Sequence, residues 1–82
     1  MFPAQVSAIL ERLEQAGFAA YAVGGCVRDT LLGRVPQDWD VATSARPEQT
    51  AALFAGRSIP TGLQHGTVTV RQEGLSVEVT TL

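Results

Sequence analysis

Residues 18–43 read FAAYAVGGCVRDTLLGRVPQDWDVAT, and the order of residue types along them decides the fold. Phe18 to Val23 is too short and too apolar for a surface helix, and predicts a buried strand that runs into the pair Gly24-Gly25. A helix is expected from Val27 to Leu32, with Leu31 and Leu32 turned inward and Gly33 as its C-terminal break. After a loop holding Pro36, Asp38 to Thr43 predicts a second strand. On it Trp39 and Val41 face the core, while Asp38 and Asp40, two apart, share the other side.

Upstream, Pro3 opens a helix in which Val6, Ile9, Leu10, Leu13 and Ala16 recur at the three-and-four spacing of one face, and Gly17 ends it. Downstream, Pro47 opens a third helix, where Ala51, Ala52, Phe54 and Ala55 can pack before Gly56. A short strand is expected near Ser58-Ile59, then two alternating runs. Val68 and Val70 oppose Thr67, Thr69 and Arg71; Val77 and Val79 oppose Ser76, Glu78 and Thr80; Glu73-Gly74 between them is a tight-turn signal. No internal repeat or low-complexity linker interrupts this order.

The 82 residues hold one core at most. Eight acidic against six basic side chains give a net charge of -2, and every base is arginine. That balance argues against a module that wraps nucleic acid with a basic patch, but leaves room for a nucleotide pocket served by one arginine and a metal ion. The single Cys26 excludes an internal disulfide and points to a reducing, cytoplasmic setting. No stretch approaches the roughly 18 continuous apolar residues of a membrane span, and the first residues have no basic leader.

Three groups of residues can carry chemistry. The first is the glycine pair with Arg28 three residues on: glycine lets the backbone approach a triphosphate, and amides at a helix N-terminus direct positive charge at it. The spacing is neither the dinucleotide fingerprint nor a Walker A loop, and a lone glycine pair is also an ordinary tight turn. The second is Asp38 with Asp40, whose neighbouring carboxylates suit solvent or a hard cation such as Mg²⁺. The third is Glu78, which would join them on one face if its strand lies beside theirs, and is otherwise a charge on an exposed sheet face. His65, flanked by Gly62 and Gly66, reads as a loop histidine, and Cys26 as a small buried residue.

With the glycine pair, Arg28, Leu31-Leu32-Gly33-Arg34 and the paired aspartates in view, the chain resembles the head domain of the tRNA nucleotidyltransferase and poly(A) polymerase family, class II of the polymerase-β-like nucleotidyltransferases. The likeness covers GGCVRDTLLGRVPQDWDVAT and TGLQHGTVTVRQEGLSVEVTT, residues 24–43 and 61–81. It implies an α+β palm with a small mixed or antiparallel sheet and helices packed on one side. Gly24, Gly25 and Arg28 would then hold the incoming CTP or ATP. Asp38 and Asp40 would carry Mg²⁺ for a two-metal transfer to the 3′ end of tRNA or another RNA, with Glu78 a candidate third ligand.

Members of that family continue into a base-reading motif and helical tRNA-binding domains, so the expectation is that residues 1–82 form the N-terminal part of a truncated head, with the remainder of the head, neck, body and tail absent. Such a piece would be inactive alone, and its hairpin would offer an outer sheet edge for homodimer formation. The alternative is a non-catalytic nucleotide- or metal-binding module. CCA addition, CC addition, A addition and poly(A) synthesis are all open at this level.

Arg28→Lys separates the phosphate reading from a structural one, because lysine keeps the charge and loses the bidentate fork. In the full-length enzyme, calorimetric titration should show nucleotide affinity reduced by about 1–2 kcal/mol; an unchanged affinity would make Arg28 structural.

Overall fold

The computed structural model describes residues 3–24, 31–33 and 39–82. In chain order the elements are α1 (Ala4–Gln15), β1 (Ala20–Val23), β2 (Trp39–Thr43), α2 (Pro47–Leu53), β3 (Ser58–Gly62), a 3-10 turn (Leu63–His65), β4 (Thr67–Gln72) and β5 (Leu75–Thr81). The expected Val27–Leu32 helix lies outside the described residues except for its end. Leu31 and Leu32 are exposed to 82% and 60%, against the expectation that they turn inward. Among the described residues no element packs over them.

The five strands form one mixed sheet in the order β1-β2-β5-β4-β3. β2 and β5 run parallel, and the other neighbours are antiparallel. Antiparallel strands close with a short hairpin, but the parallel pair needs a long crossover. Here α2, β3 and β4 supply it.

Alternation along the strands sorts the side chains into two layers. Trp39, Val41, Val68, Val70, Val77 and Val79 face the helices and are buried, together with Val6, Ile9 and Leu13 of α1 and with Phe54 just beyond α2. At about 1.5–3 kcal/mol per fully buried large apolar side chain, this one layer carries most of the hydrophobic stabilisation. The inward set on α1 is narrower than the spacing predicts, since Ala16 is exposed at the C-cap. In α2, Thr50 is buried and Leu53 packs on the core, whereas Ala52, and Ala55 beyond the helix end, are exposed. A seven-residue helix has only two turns, and its long side chains claim the inner face.

The Glu73-Gly74 turn forms as expected. Both residues have positive φ, 48° and 84°, which matches the twist of a two-residue hairpin. The position of the hairpin differs from the expectation of an outer edge: β5 is the centre of the sheet, flanked by β2 and β4, and the edges are β1 and β3. β1 is correspondingly no buried strand. Ala20 is covered while Tyr21 is 56% exposed, because the far face of the sheet has no described element across it. β3 carries Pro60 and a register shift between Ile59 and Gly62, two features that weaken strand addition at an edge.

A hydroxyl knot ties the far end of β2 to its surroundings. The fully buried Thr43 donates through Oγ1 to the Ala19 carbonyl (2.6 Å) and accepts from the Ala45 backbone N–H (3.2 Å). Thr81 Oγ1 donates to the Ala45 carbonyl at 2.6 Å. Thr43→Val keeps the shape and leaves those two backbone groups without the hydroxyl, so urea unfolding should show a loss of about 1–3 kcal/mol with an unchanged m-value. A loss below about 0.5 kcal/mol would show that water replaces the hydroxyl.

Candidate active site

The open face of the sheet is built from the residues that alternate with the core. One row crosses it as Val23 on β1, Asp40 on β2, Glu78 on β5, Thr69 on β4 and Ile59 on β3, each in register with the next. Asp40 is half-buried and Glu78 is exposed. Register partners on parallel strands point the same way, and neighbouring strands lie about 4.8 Å apart, so the two carboxylates are side by side. A parallel row further along, Thr67 and Thr80, is joined through its hydroxyls at 3.0 Å. On the other side of the acidic row, Arg71 donates to Ser76 Oγ at 3.0 Å.

Gly24 stands where β1 ends, with φ at +79°, and its backbone lies against Asp40. An added Cβ there would come within 3.3 Å of Asp40 Oδ2. The glycine has thus two physical reasons: a left-handed backbone, and space taken by a carboxylate. Residue order suggests close approach of a triphosphate or a tight turn here and misses the Asp40 contact, because nothing in it says that the end of β1 touches Asp40.

The structure therefore brings together three of the residues singled out in the sequence: Gly24, Asp40 and Glu78. Gly25, Arg28 and Asp38 lie outside the described residues, as does Cys26. His65 is exposed in the 3-10 turn, with its Nε2 3.4 Å from Gln64 Nε2. Among the described residues no group of three metal-ligating side chains occurs. The pair fits a divalent cation of the Mg²⁺ type nonetheless: both donors are hard carboxylates on an open face, and Mg²⁺ commonly takes one or two protein carboxylates and completes its shell with water and substrate phosphates. Hydrocarbon burial is not what holds them there, and the strand keeps its place through Trp39 and Val41 beneath.

Residues 20–82 match the poly(A) polymerase head domain family. The chain belongs to that family. The CCA-adding enzyme of Lactobacillus delbrueckii subsp. bulgaricus is 60% identical over 77 residues, which are 94% of this chain and 19% of that one. The crystal structure of the Bacillus stearothermophilus CCA-adding enzyme in complex with CTP superposes on all of this chain with a TM-score of 0.92 at 48% identity, over 21% of its own length. A tRNA nucleotidyltransferase complexed with a primer tRNA and an incoming ATP analogue matches 89% of the chain with a TM-score of 0.72 at 28% identity, over 22% of its length. The chain spans about a fifth of the length of these head-domain relatives. The expected α+β architecture, a mixed sheet with helices on one side, is the architecture of this family's solved members. Among the described residues no helix is long and apolar enough to cross a membrane.

The division of β2 between its two faces predicts opposite responses to substitution. Asp40→Asn should move the unfolding free energy by no more than about 0.5–1 kcal/mol, as for a surface change. Trp39→Ala next to it should cost about 3–5 kcal/mol. Denaturant unfolding of the two variants side by side measures this, and a severe loss from Asp40→Asn would make that carboxylate structural.

Proposed function

We propose that residues 1–82 are the N-terminal part of the nucleotidyltransferase head of a tRNA nucleotidyltransferase, an enzyme that transfers C and A nucleotides from CTP and ATP to the 3′ end of tRNA in the cytoplasm. The observation that carries this is the whole-chain superposition on the head of the CCA-adding enzyme solved with CTP. The acidic open face adds chemistry to it, since Asp40 and Glu78 stand in register beside a glycine that leaves their side of the sheet accessible.

In this reading Asp38 and Asp40 hold Mg²⁺, with Glu78 as a further oxygen donor. The bound ion supplies charge neutralisation at the triphosphate and acidifies the attacking hydroxyl. The chain's own groups do the rest. Gly24 and Gly25 let the backbone approach the triphosphate, and the Arg28 guanidinium holds a phosphate bidentately. The RNA 3′-hydroxyl gives up its proton to solvent and its oxygen forms a bond to the α-phosphorus, while the bond from that phosphorus to the bridging oxygen of the β-phosphate breaks and pyrophosphate leaves. Asp40 and Glu78 stand on paired strands and not on a loop, which fixes their separation through the strand spacing. Positioning of that kind accounts for about 7–11 kcal/mol of barrier reduction in well-oriented transfers.

The acidic balance of the segment, -2, supports a reading in which RNA is gripped outside residues 1–82. The test is to give the full-length protein a tRNA lacking its 3′ end, with Mg²⁺ and CTP or ATP separately and then together. Addition of C, then A, is the expected result, and Asp40→Ala should abolish it. Adenylate tails made from ATP alone would assign the protein to poly(A) synthesis, and no transfer with either nucleotide would favour a non-catalytic binding module.

A further inference from the structure

We propose that Gly24 is a positioning residue that sets the orientation of the Asp40 carboxylate, a role separate from any contact it makes with nucleotide; this rests on the reading of Asp40 as a metal ligand. Among the described residues five other glycines share its positive φ, at positions 17, 33, 56, 66 and 74. At Gly17, Gly33, Gly56 and Gly74 an added Cβ would meet nothing within 4 Å, so backbone conformation alone explains those four. Gly24 differs. There the added Cβ falls 3.3 Å from Asp40 Oδ2 and 3.9 Å from Asp40 Cβ. Val23, the residue before Gly24, is the register partner of Asp40 on the adjacent antiparallel strand, and that pairing brings Gly24 to the Asp40 side chain.

A methyl group at Gly24 has two consequences that can be told apart. One is backbone strain at φ +79°, which is independent of what residue 40 is. The other is displacement: at 3.3 Å the neighbour has to give by a few tenths of an ångström, and the atom that gives is the carboxylate oxygen. Asp40 would rotate about its Cβ–Cγ bond, carrying Oδ2 out of the row it shares with Glu78. The hydrogen on Gly24 therefore acts as one wall of the carboxylate's seat, and Glu78 stands on the opposite side.

The test compares Gly24→Ala with Gly56→Ala in the full-length enzyme, the latter carrying the same left-handed backbone (φ +83°) and no contact. Gly24→Ala should lower kcat for nucleotide addition and weaken Mn²⁺ binding measured without nucleotide, each by about 10–100-fold, the pattern of a residue that orients a metal ligand and one that a lost phosphate contact alone would not produce. Gly56→Ala should lower the melting temperature and leave kcat unchanged.

A thermal double-mutant cycle reads the contact without reference to activity: in an Asp40→Ala background the melting loss caused by Gly24→Ala should shrink. Additive melting losses, or a raised KM with kcat intact, would overturn the inference. Should Gly24→Ala be insoluble, a soluble Gly24→Ala/Asp40→Ala double variant supports the contact, and insolubility of both overturns it. Transfer retained by Asp40→Ala would remove the metal reading and this inference with it, whereas a dead Asp40→Ala beside an additive cycle removes only the inference.

Discussion

The parallel pairing of β2 with β5 constrains everything else in the domain. Two parallel strands cannot be joined by a tight turn, so the chain must leave the sheet after Thr43 and come back to the same end of it. The intervening α2 covers one face, and β3 and β4 extend the sheet beyond β5. With β5 inserted at the centre, its alternation settles the character of both layers: Val77 and Val79 complete the core, and Glu78 is left on the opposite face in register with Asp40. A slip of one residue in this pairing would put the glutamate under the helices and a valine on the open face, at the desolvation cost of an unpaired charge.

The same two-residue period divides stability from chemistry. On the covered side α1, β2, β4, β5 and Phe54 pack as one layer, and the buried Thr43 hydroxyl satisfies backbone groups at the far end of β2. On the open side stand Asp40, Glu78, the joined pair Thr67 and Thr80, and Arg71 bonded to Ser76. A site built in this way places its carboxylates by the backbone ladder, and substitutions on the open face can alter function with little effect on folding. Gly24 links the two sides of this arrangement, because the end of an edge strand is what lies against the Asp40 carboxylate.

The edges of the sheet follow the same logic. β3 is interrupted by Pro60 and a register shift, both of which hinder strand addition, while β1 is short and exposes Tyr21. Leu31 and Leu32 are similarly exposed, in a chain that corresponds to about a fifth of its relatives' length.

Much of this was legible in residue order, and the limits have particular causes. Alternation identified β2, β4 and β5 and the inward positions of Trp39, Val41, Val68, Val70, Val77 and Val79, because a strand's period of two depends only on its own residues. The Glu73-Gly74 turn was readable for the same reason, since its backbone demands are local. The residues of the glycine-to-aspartate signature also sufficed to indicate the family. Residue order left undecided whether Glu78 belongs with the aspartates, because that depends on which strand β5 lies beside. It also misplaced β1 as buried, Leu31 and Leu32 as inward, and the hairpin as an edge. Each of these is a question of which neighbour covers which face, and covering is a property of the assembled sheet. The contact between Gly24 and Asp40 is of the same kind: local sequence specifies a glycine's freedom, and only the antiparallel register of β1 and β2 decides what occupies the space where its side chain would be.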